Sequence, residues 1–205
     1  MQFTQKDSKI FLNILKSRRD VRGGLFLSKE IEEEKLKLIL KSALYAPSVG
    51  YSQPWEFVVI KDKNIKENIY QNFYKENEKA KKIFNSSLYD SLKLEGIKEA
   101  PINIAVLYNT IKKETLGMTS MKKMGEYSVV CAVENMWLMA RSLNIGMGWV
   151  SILDEKSVLK TIKKEDKQLI SYLCLGYVKE FYDEPELKSL KWEEEKKFNE
   201  VVSYL

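Results

Sequence analysis

The chain has 205 residues and no histidine, so the Ser-His-Asp triad, the HExxH zinc site and imidazole acid–base catalysis are all excluded. Chemistry must come from carboxylates, lysines, hydroxyls, backbone amides or a cofactor. Of 34 basic residues only four are arginine, and three of these are Arg18, Arg19 and Arg22. In a chain that otherwise uses lysine, such a cluster offers a planar fork of donors suited to a phosphate or a pair of carbonyls. It therefore points to an anionic, planar ligand. A solvated basic turn ahead of Gly23 and Gly24 would use the same residues. The two cysteines, Cys131 and Cys174, lie in apolar stretches without CxxC spacing and read as buried free thiols rather than metal ligands.

Two further segments stand out. Ala46-Pro47-Ser48-Val49-Gly50-Tyr51-Ser52-Gln53-Pro54-Trp55 holds two of the four prolines, a glycine, two hydroxyls and an amide. Rigid loops rich in hydrogen-bonding groups often carry function, although a plain helix-to-strand connection also favours proline and glycine. In Asn144-Ile145-Gly146-Met147-Gly148-Trp149-Val150-Ser151-Ile152, two glycines at a helix end allow backbone to approach something closely. This is not a dinucleotide fingerprint: Ser151 stands where the third glycine belongs, and the segment closes a helix instead of opening one.

The elements that must carry these segments follow from periodicity. Ile10, Phe11, Ile14 and Leu15 behind Asp7 and Ser8 predict a capped helix leading into Arg18. Leu36, Ile39, Leu40 and Leu44 predict a second helix over Glu32 to Tyr45, stopped by Pro47. Phe57 to Lys61, Ile102 to Tyr108, Met147 to Ile152 and Leu169 to Val178 read as strands. Asn64 to Ile97 is lysine-rich with sparse apolar positions and predicts one or two amphipathic helices, and Glu155 to Lys164 a charged one. Tyr127 to Leu143 is apolar nearly all round, as in a helix covered on every side, which would be central in a dimer. The tail from Glu180 onward is polar except for Leu187, Leu190, Trp192, Phe198 and Val201. It is expected to wrap a neighbour.

Length and composition, with 44% hydrophobic and 31% charged residues, indicate a single globular domain over residues 1–205. Apolar runs fall short of the roughly 20 residues needed to cross a bilayer, and a cytoplasmic location is the default expectation. The net charge of +5 is scattered, which argues against a nucleic-acid surface.

Arg18-Arg19-Asp20-Val21-Arg22, the Ala46 to Trp55 loop and the glycine-rich turn into a strand resemble, in order and spacing, the nitroreductase superfamily. With Tyr127 to Val133, Gly148 to Ile152 and Tyr172 to Tyr177 added, the resemblance narrows to its 5,6-dimethylbenzimidazole synthase (BluB-like) branch. Asp20, where most nitroreductases have serine, and Ser151 after Trp149-Val150 are that branch's distinguishing features. The resemblance implies an α+β fold, a nitroreductase-like α/β sandwich with a central mixed or antiparallel sheet flanked by helices, and a C-terminal tail exchanged across a homodimer. It implies FMN held by Arg18, Arg19 and Arg22, with Pro47, Ser48 and Gln53 contributed by the partner subunit. Ser151 and Ile152 would lie beside the reactive centre of the ring. A tail arginine common in the family is absent after Trp192, and Lys196 is the substitute expected for it.

In that branch reduced FMN is the substrate. With dioxygen it is broken down to the benzimidazole and erythrose 4-phosphate, and a separate flavin reductase using NAD(P)H could supply it. Asp20 would then transfer a proton near the ribityl chain and Ser151 would donate a hydrogen bond; alternatively Asp20 merely pairs with Arg18 or Arg22. Two rivals remain: an NAD(P)H-dependent FMN reductase of nitroaromatics, quinones or corrinoids on the same fold, and a flavin-sequestering protein without turnover. Asn64 to Ile97 and Met118 to Met124 are the candidate cover.

Overall fold

A computed structural model describes all residues 1–205. Helix α1 spans Gln5–Ser17. Its cap is Thr4, not Asp7 or Ser8: Thr4 accepts from the Asp7 amide, and Asp7, three positions inside, reaches back to the Thr4 amide. This reciprocal arrangement satisfies two donors at once, which neither expected cap could do alone. Helix α2, Glu33–Ala43, ends two residues before Tyr45, ahead of Pro47. After a short turn of 3-10 helix at Val49–Tyr51, strand β1 runs Trp55–Ile60.

The lysine-rich segment forms two helices, α3 at Lys63–Phe84, capped by Asp62, and the short α4 at Ser87–Ser91. Strand β2, Ile102–Tyr108, follows. Helix α5 covers Met124–Ser142, β3 Gly146–Val150, α6 Glu155–Thr161 and β4 Gln168–Gly176. Strand β3 stops before Ser151 and Ile152, which therefore follow the strand. Two four-residue helices, α7 at Glu186–Ser189 and α8 at Phe198–Val201, interrupt the tail. No helix is long and apolar enough to cross a membrane.

The sheet has the order β1-β2-β4-β3 with every neighbouring pair antiparallel. A single parallel bridge joins Asp20 to Met147 on the outer edge of β3. Both faces are covered, so every residue of β2 is buried and the strand reads as a largely apolar run, with Asn103 its one polar amide, instead of an alternating one. Ile104 and Val106 pack with Leu36 and Ile39 of α2 and with Val133 and Met136 of α5. Ala105 and Leu107 pack with Ile69 and Phe73 of α3, Val158 of α6, and Val21 and Phe26 from the segment after α1. The fold is thus an α+β sandwich.

Helix α3 packs on the sheet through Ile69 and Phe73. Helix α5 leaves a stripe open, because Tyr127, Val130 and Cys131 are exposed; only Cys174 is a buried thiol. The tail lies on the chain's own surface, where Trp192 packs edge-on to Phe84 at 5.5 Å and near Tyr89 at 6.2 Å.

Candidate functional site

The arginine turn begins where α1 stops. From Arg18 the backbone is extended and runs beside β3, where the Val21 amide donates to Met147 O at 3.0 Å. Gly148 makes this approach possible: a Cβ there would lie 1.9 Å from Val21 O. The glycine-rich turn therefore gives room first to the chain's own arginine segment.

That approach organises Asp20. Its Oδ2 accepts from Arg22 Nε at 2.9 Å and Nη2 at 2.7 Å, and its Oδ1 accepts from the Trp149 amide at 2.9 Å. Asp20 does pair with Arg22, and it also ties the turn to β3 two residues before Ser151. Turn residues are clamped again on the other side: the Gly23 amide donates to Glu95 O and the Gly24 amide to Glu99 Oε2 at 2.6 Å. Burial pushes the Glu95 carboxyl above the ordinary glutamate range.

The three clustered arginines have different work. Arg19 is spent on backbone carbonyls, at Lys16, Arg18, Tyr182 and Asp183, so it closes α1 and ties down the start of the tail. Arg22 holds Asp20. The Arg18 side chain donates to no group of the chain and lies over the Trp137 ring at 4.9 Å, leaving its fork available to a ligand. A cavity of about 340 Å³ opens here, lined by Arg18, Arg19, Asp20 and Arg22 on one side and by Tyr182 and Leu187 of the tail on the other.

The fourth arginine joins the same place. Arg141 Nε donates to Ser17 O at 2.9 Å, and Trp137 Nε1 donates to Arg19 O at 3.1 Å, so α5 fixes the turn's backbone. Sequence reasoning missed Arg141 and Trp137 as turn-positioning residues. The rarity of arginine was the available signal for Arg141; Trp137 carried none.

Ser151 is exposed, whereas Ile152 is half-buried against the core layer that contains Val150 and Leu159. The backbone amides of both donate to no group of the chain. Two free amide donors just beyond the strand that Asp20 clamps, and the free fork of Arg18 in the arginine cavity, are groups that can receive carbonyl, ring-nitrogen or anionic acceptors.

The Ala46–Trp55 loop sits elsewhere. Its Val49 amide donates to Ser128 Oγ at 3.0 Å, and Ser48 Oγ accepts from the Gln53 amide at 3.1 Å. Gly50, Tyr51 and Gln53 have φ of 54°, 52° and 45°, a left-handed backbone that costs a non-glycine residue about 1–2 kcal/mol. Pro47 and Gln53 are exposed. The Ser52 hydroxyl and the side-chain oxygen of Asn109, which follows β2, are buried without a partner. Strain and orphaned polar atoms together are characteristic of a segment that meets something outside its own chain.

The loop anchors at Ser128 and the arginine turn at Trp137, separated along α5 by about 14 Å at ~1.5 Å per residue. Arg18, Asp20 and Arg22 are brought to one cavity, with Ser151 and Ile152 following the strand that Asp20 clamps; Pro47, Ser48 and Gln53 are not brought to them. Lys196 is exposed in the tail, makes no ion pair or hydrogen bond, and does not line the arginine cavity.

The nitroreductase family profile matches residues 15–177, and the chain belongs to the nitroreductase family. A 5,6-dimethylbenzimidazole synthase of Rhodospirillum rubrum is 38% identical over 182 residues, 86% of this chain and 85% of that protein. Another, from Rhodobacter capsulatus, is 31% identical over 201 residues, covering 95% and 96%. Among solved structures, iodotyrosine deiodinase bound to FMN and 3-iodo-L-tyrosine aligns with a TM-score of 0.74 at 20% identity, over 95% of this chain and 98% of that one. A nitroreductase with bound FMN from Bacteroides fragilis aligns at 0.66 and 22% identity, over 95% and 98%. At such identities the structures speak for the fold.

Proposed function

We propose that the chain binds FMN and converts reduced FMN and dioxygen to 5,6-dimethylbenzimidazole, releasing erythrose 4-phosphate. The observation that carries this reading is the bond from the Trp149 amide to Asp20. It draws the branch-distinguishing Asp20 to the edge of β3 two residues before Ser151, and Asp20 lines one cavity with Arg18. The two synthases of 31% and 38% identity over most of the chain point the same way.

The residues present fit FMN. Arg18 would hold the phosphate, with Arg22 and Arg19 adding positive charge around it. The unpartnered amides of Ser151 and Ile152 would meet acceptors at the ring edge. Reduced flavin supplies the electrons that dioxygen takes up. Asp20, fixed from two sides, would take a proton from the sugar-alcohol chain, and the exposed Ser151 hydroxyl would donate to oxygen at the ring. Reduced FMN would come from a separate flavin reductase using NAD(P)H.

The working unit in this reading is a homodimer. Pro47, Ser48 and Gln53 of the partner subunit would close the ring face that one chain leaves open, and the tail would exchange between subunits, with Lys196 brought near the phosphate. Supporting this are the apolar side chains left exposed on α1 (Ile10, Phe11 and Leu15) and α5 (Tyr127 and Val130), and those of the tail at Phe198 and Val201. Large apolar side chains exposed in such number are often covered by a partner.

One observation favours ordinary NAD(P)H-dependent reduction instead: the Asp20 carboxylate already accepts three hydrogen bonds, as a purely structural residue would. Purified protein given chemically reduced FMN and then air separates the two readings. Benzimidazole detected by chromatography and mass from the wild type, and lost from Asp20→Ala and Ser151→Gly, supports the synthase. FMN merely reoxidised, together with NAD(P)H consumption, supports the reductase.

A further inference from the structure

A hydroxyl buried without a hydrogen-bond partner lowers stability, and alanine at the same place would avoid the cost. Ser171 is such a case. It is 2% exposed, lies in the middle of β4, and its Oγ has no partner. The pairing of β3 with β4 runs from Gly146↔Gly176 to Val150↔Tyr172, and the same register carried one residue further sets Ser151 opposite Ser171. Directly opposed residues of an antiparallel pair share a face, with Cβ atoms about 4.5–5.5 Å apart. Trp149 and its partner Leu173 belong to the core layer on the α5 side, so that is the face the two serines occupy. Both line one cavity of about 210 Å³, together with Trp149, Leu153 and Glu155.

We propose that Ser171 is a positioning residue for Ser151: its buried hydroxyl, which has no partner within the chain, is placed to bond the Ser151 hydroxyl when Ser151 turns onto the reacting molecule, and so to fix its aim at that molecule's oxygen. The orphaned Oγ is kept at a cost in stability because the aim of Ser151 depends on it. The inference rests on Ser151 having the role given to it above. Tyr172, whose hydroxyl is also buried and unpartnered, packs in the opposite core layer with Ile69 and Phe73. Tyr172 also lines this cavity, but its side chain belongs to the other layer, so it serves as the control for the general effect of removing an orphaned hydroxyl.

The test compares wild type, Ser171→Ala, Ser171→Thr, Ser151→Ala, the Ser151→Ala/Ser171→Ala double variant and Tyr172→Phe. Three quantities are read: the melting temperature without flavin, the rate at which bound reduced FMN reoxidises in air, and the fraction of FMN converted to benzimidazole. Ser171→Ala should leave the melting temperature unchanged or higher. It should shift the reoxidation rate and lower the benzimidazole fraction by about tenfold, the worth of one hydrogen bond. The double variant should be no worse than Ser151→Ala alone, Ser171→Thr should recover much of the loss, and Tyr172→Phe should behave as wild type. A Ser171→Ala protein that melts lower yet reacts as wild type, or single effects that simply add, would overturn the inference. If the wild type forms no benzimidazole but the reoxidation rates of the two serine variants are coupled, the synthase reading fails and the role of Ser171 stands. If the wild type forms benzimidazole and Ser171→Ala forms as much at an unchanged reoxidation rate, the synthase reading stands and this inference fails.

Discussion

The arginine turn and the Ala46–Trp55 loop are both irregular segments that leave a helix, and both carry residues with chemistry. The chain treats them differently. Backbone and side chains of the turn are tied to β3, α5, the Glu95–Glu99 segment and the tail. By contrast, the loop is pinned at Val49 and by its own Ser48–Gln53 bond, with strained backbone at Tyr51 and Gln53 and an orphaned Ser52 hydroxyl. One half of the site is finished within a chain. In the dimer proposal the other half is completed by the partner subunit, and the strained backbone and orphaned hydroxyl are the observations it rests on.

The sharpest way to break this contrast is at Asp20. Replacing it by alanine should lower benzimidazole formation by about 10²–10⁴-fold, the usual range for a lost acid–base group. Asp20→Asn keeps an acceptor for the Trp149 amide but cannot take the proton. If it turns over as wild type, the carboxylate is only a clamp. Next in size, Val130→Glu on the open stripe of α5 should give a monomer by sedimentation that no longer retains FMN, although its arginine turn is untouched. Retention of FMN by that monomer would mean one chain suffices.

Glycine substitutions compare the two segments directly. Gly148→Ala drives a methyl into Val21 O and should cost about 1–3 kcal/mol in denaturant unfolding, along with FMN affinity. Gly50→Ala meets Thr115 Cγ2 at 2.6 Å and forces alanine to a φ of 54°. Its cost of about 1–2 kcal/mol should fall on the loop, so the turn keeps its exchange protection. Within the turn, Arg18→Ala should weaken FMN binding by about 10–100-fold, as expected for charge-assisted bonds. Arg19→Ala should chiefly release the tail, read as faster proteolysis after Tyr182.

The smallest effect concerns Glu95. Because burial raises its carboxyl in the folded state, folding takes up a proton there. Stability is therefore highest below the ordinary glutamate range and declines as pH rises from that range through the raised value. Glu95→Gln keeps an acceptor for the Ile97 amide, should flatten that slope, and should raise the melting temperature at neutral pH.

Much of this was legible in the sequence because it is local. Strand β2 reads off at its own boundaries from a β-branched run after Pro101, and α1, α2 and α5 follow from spacing that repeats within a few residues. The cap of α1 was misjudged because the reciprocal Thr4–Asp7 pair competes with simpler caps beside it. Strand β3 ends at Val150, earlier than its apolar pattern suggests, and this leaves Ser151 and Ile152 with unspent amides. Arg18 and Arg19 are adjacent and chemically identical, so no local pattern could say that one keeps its side-chain donors unspent and the other holds the tail.

By itself the sequence determined the chemical vocabulary: no imidazole, arginine where a planar fork is wanted, and a carboxylate and a hydroxyl at Asp20 and Ser151. Tertiary structure alone decided how these meet. The Asp20–Trp149 bond, the arrival of Arg141 at Ser17, the space that Gly148 leaves for Val21 and the cavity that Ser151 and Ser171 share depend on sheet register and helix packing. Side-chain periodicity reports which face of an element is buried. It carries no record of which distant element will press against that face, because that choice is made by the packing of the whole chain.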